Sequence, residues 1–247
     1  MTAPDAVTPR RVIVTGGMSG IGAATVERFR SAGDRVVVLD RKPGDPAHSA
    51  ESIRVDLSAW DQAVGGVTEA AERLGGLDVL VCAAGVGAGG TLDDTPKDVW
   101  DLVFSVNARA VFACSKAALP YMRASSGGVI VIVASQIGLV AQERSIAYCA
   151  SKAAAIQLAR AISLDHAEDG VRAVAVCPGA TDTPMLAETV AAAPDPDVAS
   201  SALRARSLHG RFIEASEIAE AIWYVASPQA GSVYGMGLVI DAGYTAV

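Results

Sequence analysis

Short apolar, β-branched runs alternate along the whole chain with longer Ala-rich stretches of helical spacing. The runs fall at 11–15, 35–40, 53–55, 77–82, 128–134, 172–177 and 238–241, and the helical stretches at 20–32, 59–74, 98–124, 146–169 and 216–226. Parallel strands need crossover connections, usually helical, and helices on both faces of a sheet make its strands continuously apolar, as these runs are. The alternation therefore predicts an α/β fold, a doubly wound parallel sheet. At 247 residues and 51% hydrophobic, the chain can bury a large core, and no linker divides it, so 1–247 reads as a single domain.

The rest of the composition narrows the class. A formal charge of −7 without a block of Lys and Arg weighs against nucleic acid or an anionic membrane as partner. The longest purely apolar run, 129–134, is far short of the roughly 18 residues a membrane helix needs. The stretch 1–11 has no apolar core of a signal peptide. Cys82, Cys114, Cys149 and Cys177 lie far apart, as expected of reduced thiols in a cytoplasmic protein. His48, His166 and His209 are scattered too, so no metal site is expected. Prolines and small residues interrupt the helical pattern over 182–210, which reads as a mobile excursion and a candidate substrate lid.

The first run ends in Thr15-Gly16-Gly17-Met18-Ser19-Gly20-Ile21-Gly22 and passes straight into a helical stretch. Glycine permits positive φ and lets a pyrophosphate approach where a Cβ would collide, and a helix N-terminus offers unpaired N–H groups to it. Asp40 ends the next strand about twenty residues on, where a carboxylate accepts hydrogen bonds from an adenine-ribose 2′-hydroxyl and repels a 2′-phosphate. A Rossmann-like site for NAD follows, although neighbouring Arg41 is of a type that serves a 2′-phosphate.

Tyr148 and Lys152 are four residues apart in a helical stretch, so both side chains address one small volume. Ser135 stands just beyond the apolar strand 128–134, at a carboxyl end. Removing a hydroxyl proton while hydride leaves the same carbon needs a base, and a free Tyr, with a pKa of about 10, must be helped to ionise. Lys152 and an oxidised nicotinamide supply positive charge for that, and Ser135 can hydrogen-bond the substrate oxygen.

The spacing Gly16-x-x-x-Gly20-x-Gly22, with Ser135 and Tyr148-x-x-x-Lys152, resembles the classical short-chain dehydrogenase/reductase family over nearly the whole chain. The resemblance implies that Asn107, in Ser105-Val106-Asn107-Ala108, joins the catalytic set through a water relay, and that Lys152 also holds the nicotinamide ribose. It implies adenine contacts from Asp56 and Leu57, nicotinamide-side contacts from Pro178, Gly179, Thr181 and Thr183, and a homotetramer. Cys82-Ala83-Ala84-Gly85 stands where the family usually reads Asn-Asn-Ala-Gly, so only backbone proximity through Ala84 and Gly85 is expected there. In Asp241-Ala242-Gly243, an Ala replaces a usual Gly.

Around the expected pocket lie Gln136, Gln142, Arg144 and Met185, with Ile137 and Glu143. Arg144 is of a type that clamps a carboxylate or sulfonate; its plainer role is a rim charge paired with Glu143 or solvent. Cys149 is expected to pack, and Trp60, Trp100 and Trp223 to serve core or interface. The reading is an NAD-dependent enzyme interconverting a secondary alcohol and its ketone. The alternatives are an NADPH-dependent carbonyl or 3-ketoacyl reductase and a non-catalytic dinucleotide sensor.

Overall fold

A computed structural model describes residues 8–42 and 51–246. His48 and part of the stretch on which the absence of a signal peptide was read lie outside them. Seven parallel strands form one sheet in the order β3-β2-β1-β4-β5-β6-β7: β1 (Arg11–Thr15), β2 (Arg35–Asp40), β3 (Glu51–Arg54), β4 (Val79–Cys82), β5 (Gly128–Val133), β6 (Val171–Pro178) and β7 (Gly237–Ile240). Alternate side chains of each strand enter opposite layers. Ile13, Leu80, Ile130 and Ile132 face one layer with Val67 and Leu74 of α2 (Trp60–Leu74). Val12, Val14, Val79 and Val131 face the other, with Phe29 of α1 (Gly20–Ser31) and Ile218 and Ile222 of α8 (Ala215–Val225). Each fully buried side chain of this size contributes about 1.5–3 kcal/mol, and coverage of both faces is what makes the sheet doubly wound.

Strand order reverses between β1 and β4, and at such a switch point the carboxyl ends of the strands open a crevice for ligand. The expected strand at 53–55 is displaced to 51–54: it is a half-exposed edge strand, and the N–H of Val55, just beyond it, makes the last bond of the ladder, to the Asp40 carbonyl. The expected helix 98–124 is three pieces, α3 (Lys97–Phe104), a π-helical turn (Ser105–Arg109) and α4 (Ala110–Ala124). By length and composition alone this run is long enough to cross a membrane; half of its most apolar stretch is buried in the fold, where Val103, Cys114 and Met122 pack. α5 (Ile146–His166) follows β5.

The segment 182–210 is more regular than expected. It holds α6 (Pro184–Ala191) and α7 (Pro196–Ala205), each with its proline in the first turn, and the side chains of Thr183 and Asp195 cap them. Proline at the first helical position surrenders an N–H that has no partner there anyway, so these prolines start helices instead of interrupting one.

Candidate active site

Gly16 (φ +69°) and Gly20 (φ +52°) take the left-handed backbone that bends β1 into α1. A Cβ on Gly16 would lie 2.7 Å from Ala84 Cα, and one on Gly22 would collide with the Gly16 carbonyl oxygen. Ser19 precedes α1 in extended conformation without a side-chain cap, and the first turn carries no acidic residue, so its N–H groups remain for an anion. Across the crevice, a Cβ on Gly20 would come within 3.1 Å of Thr183 Cγ2. With glycine at 16, 20 and 22 the turn carries no side chain at these points, and the residues present fit a dinucleotide's phosphates. Met18 donates its N–H to Asp40 Oδ2 at 3.1 Å and Lys42 donates to Oδ1 at 3.0 Å, which fixes the buried Asp40 carboxylate beside the turn. Arg41 is exposed.

The remaining cofactor candidates spread along the same edge. Asp56 is exposed, and hydrogen bonds from the Ser58 hydroxyl and N–H hold its carboxyl below the usual range, whereas Leu57 is packed into the core. Gly179, after Pro178, has no room for a Cβ: it would meet Asp241 Cα and Gln136 Oε1, each at 2.8 Å. Thr181 is buried, its hydroxyl donating to the Gly179 carbonyl, and Thr183 donates to the Thr181 carbonyl while capping α6. The loop after β4 is anchored at two points: Ala84 donates its N–H to Thr15 Oγ1, and both peptide groups of Val86 engage Asn107. Thr15 was missed in the sequence, where it reads as one more strand residue.

Ser135, Tyr148, Lys152 and Asn107 converge at the carboxyl ends of β4 and β5. The first turn of α5 presents Tyr148, and one turn later Lys152 is buried with Nζ 5.5 Å from the Tyr148 ring centroid. Nζ donates to the Val133 carbonyl at 2.8 Å. Asn107 sits within the π turn, and Ser151 receives its Nδ2 at 3.0 Å while donating to the Tyr148 carbonyl at 2.8 Å. A Cβ on Gly85 would lie 3.4 Å from Asn107 Oδ1 and 3.5 Å from Lys152 Nζ. Burial pushes the Tyr148 phenol up to about 12 against the lowering effect of its hydrogen bond with Ser135, and burial brings the Lys152 ammonium down to about 8. The ammonium is thus committed to a main-chain carbonyl instead of to the phenol oxygen.

Gln136 follows Ser135 in a buried turn that continues to Gly138, whose missing Cβ lets the turn lie on the α5 backbone at Lys152. Gln142 donates to Ser145 Oγ at 3.4 Å, and Met185 of α6 sits where a Cβ on Gly87 would meet its Sδ at 3.7 Å. Arg144 does not pair with Glu143: it is exposed and donates to Asp94 Oδ2 at 2.9 Å. Cys149 is half-buried, its Sγ 4.0 Å from the Gln142 carbonyl oxygen. Trp60 lies 6.0 Å from the Phe112 ring and Trp100 stacks on Phe104, while Trp223 lies under Arg28.

A phosphate cradle, an adjacent carboxylate, and a phenol and amine gathered at the same sheet edge define a nicotinamide-dependent oxidoreductase. The chain belongs to the short-chain dehydrogenase family, whose model matches residues 10–194. It is 37% identical over 98% of its length to the cis-4-hydroxycyclohexanecarboxylate dehydrogenase of Sinomonas cyclohexanicum, covering 99% of that protein. It is 35% identical over 96% of its length to the 2-(R)-hydroxypropyl-CoM dehydrogenase of Xanthobacter autotrophicus, again covering 99%. Among solved structures, the ligand-free aldohexose dehydrogenase of Thermoplasma acidophilum superposes with a TM-score of 0.91 at 29% identity, over 97% of this chain and 95% of that one.

Proposed function

We propose that this enzyme is an NAD-dependent dehydrogenase of secondary alcohols, reversible to the ketone, with Tyr148 as general acid/base. The observation that carries the reading is the gathering of half-buried Tyr148 and buried Lys152 beside Ser135 at the mouth of the glycine cradle. Gly16, Met18, Ser19, Gly20, Ile21 and Gly22 would receive the pyrophosphate, Asp40 the adenine ribose, and Asp56 and the main chain of Leu57 the adenine, the Leu57 side chain being in the core. Ala84, Gly85, Pro178, Gly179, Thr181 and Thr183 would flank the nicotinamide side. A nicotinamide held there supplies hydride exchange with the carbinol carbon. Tyr148 takes the alcohol proton, and Ser135 hydrogen-bonds the same oxygen so that charge developing on it is met by a preorganised donor. Lys152 would turn to the ribose and support the phenolate with its positive charge. Asn107 keeps the loop after β4 and the start of α5 in register, beside the path of the proton relay.

Named relatives act on a hydroxycyclohexanecarboxylate and a hydroxypropyl-CoM. Alcohols that carry an anionic group are therefore the first substrates to examine here, with Gln136, Gln142, Arg144 and Met185 as candidate contacts. The segment 182–210 would act as a lid, since α6 lays Met185 against Gly87. Exposed Leu102 and Phe112 on the outer face of α3 and α4 support the homotetramer, and four free cysteines support a cytoplasmic location. No nucleic acid or membrane partner is proposed. The test is nucleotide fluorescence titration with NADH and NADPH, then an oxidation screen of secondary alcohols, polyols and hydroxy acids. NADH preference with turnover supports the reading. NADPH preference favours the carbonyl-reductase alternative, and binding without turnover favours the sensor.

A further inference from the structure

Four of the six residues over 85–90 are glycine, so this part of the loop after β4 carries side chains only at Val86 and Ala88. The stretch is pinned on both sides of Gly87. Asn107 holds the Val86 peptide groups, and Gly90 donates its N–H to the Arg144 carbonyl at 2.8 Å while its own carbonyl accepts the Ile146 N–H at 3.3 Å. Met185 of α6 lies against this strap. A Cβ on Gly85 would have Met185 Cε at 4.0 Å, Lys152 Nζ at 3.5 Å and Asn107 Oδ1 at 3.4 Å, so the thioether reaches the immediate surroundings of the catalytic amine. A Cβ on Gly87 would meet Met185 Cγ and Sδ, each at 3.7 Å. The helix that carries Met185 is anchored too, since Thr183 caps α6 and turns its methyl toward Gly20. With main chain fixed on both sides, the adjustable part of this corner is the half-buried Met185 side chain, which is unbranched and flexible.

Resting on the dehydrogenase reading above, we propose that Met185 is the size-determining residue of the substrate pocket, filling against a glycine wall the space beside Lys152 that a large carbinol substituent needs. A compact alkyl group is accepted with the thioether lying on Gly87. A ring or a branched group enters only when Met185 swings off the strap, and the absence of side chains at 85 and 87 is what leaves it rotamers to do so. The selection acts on the volume of an apolar group, because neither Met185 nor the strap carries a charge.

The test compares two neutral alcohols that share a carbinol methyl and differ in the other substituent, 2-butanol and 1-cyclohexylethanol. Met185→Ala is expected to raise the kcat/KM ratio of the cyclohexyl to the ethyl compound by about tenfold or more, chiefly through KM, the scale on which an apolar pocket discriminates small differences in volume. Met185→Leu, of similar volume, keeps the ratio within about threefold of wild type. Gly87 does not take the left-handed backbone, so Gly87→Ala is tolerated there; its methyl rests on the thioether, restricts it and lowers the ratio. An unchanged ratio in Met185→Ala, or an equal loss on both alcohols together with weaker NADH binding, overturns the proposal and leaves Met185 as a lid contact only, with the dehydrogenase standing. Wild type that turns over no alcohol with either coenzyme counts against the dehydrogenase reading instead. Calorimetric titration of the NADH-loaded protein with the unreactive cyclohexanecarboxamide and acetamide decides the pocket without turnover. Tightening of the cyclohexyl amide relative to acetamide in Met185→Ala supports the proposal, and an unchanged difference, or no binding of either amide to either protein, removes it.

Discussion

The Asn107 side chain grips the Val86 peptide groups from both sides, its Oδ1 accepting the Val86 N–H at 2.9 Å and its Nδ2 donating to the Val86 carbonyl at 3.0 Å. Asn107 is 1% exposed, so truncation strands these groups away from water. Asn107→Ala is expected to cost about 2 kcal/mol and to lower Tm by about 6 °C, with a fall in kcat as the loop loosens. Calorimetric melting and steady-state rates check this. An unchanged Tm would mean that Thr15 alone anchors the loop.

Tyr148→Phe keeps the ring and removes the proton carrier. Turnover is expected to fall by at least about a thousandfold, with NADH affinity changed less than about threefold. Oxidation needs the phenolate, so its rate climbs with pH toward the phenol's pKa, and in the free protein that lies at about 12. Adding oxidised cofactor brings positive charge to the site and is expected to move the ionisation down, as read by phenolate absorbance in wild type minus Tyr148→Phe. Ser135→Ala removes a hydrogen bond that lowers this pKa, so its rising limb shifts to higher pH. A phenol unmoved by cofactor would take Tyr148 out of the base role.

Asp40 is held by Met18 and Lys42 with its charge facing the end of the cradle. Asp40→Ala is expected to reduce discrimination against NADP by about tenfold or more, since it removes repulsion of a 2′-phosphate and the acceptor for a 2′-hydroxyl together. Ratios of kcat/KM for the two coenzymes give the answer. An unchanged ratio would assign the choice to another group.

Ala242 adopts φ +51°, a left-handed conformation in which a Cβ crowds the following carbonyl. Ala242→Gly relieves about 1 kcal/mol of this, partly offset by the greater chain entropy of unfolded glycine. A net gain of about 0.5 kcal/mol and a Tm rise of about 1–2 °C are expected by calorimetry. A fall in Tm would show that Ala242 packing outweighs its backbone conformation.

Buried strands such as β1 and β6 are legible because burial on both faces leaves an unbroken apolar run in the sequence. The cradle and the Tyr148/Lys152 pair are legible for a related reason: short spacings alone place their members together. What the sequence does not disclose depends on distant partners. Arg144 meets Asp94 fifty residues away, and the loop bearing Ala84 is anchored by Thr15 and Asn107, residues of other elements. Proline at 184 and 196 has two meanings, breaker or helix starter, and only the caps from Thr183 and Asp195 decide between them.

The π turn at Ser105–Arg109 amounts to one residue too many for a regular helix. Each α-helical residue advances the winding by about 100°. Removing a single residue there would therefore let α3 and α4 fuse into one smooth rod at the expense of swinging one end against the other. Asn107 would leave the crevice, or the apolar stripe of α4 would leave the sheet. The irregularity works as a phase correction, allowing one continuous helix to serve the core along part of its length and the reaction centre at a point where an ideal helix would face elsewhere.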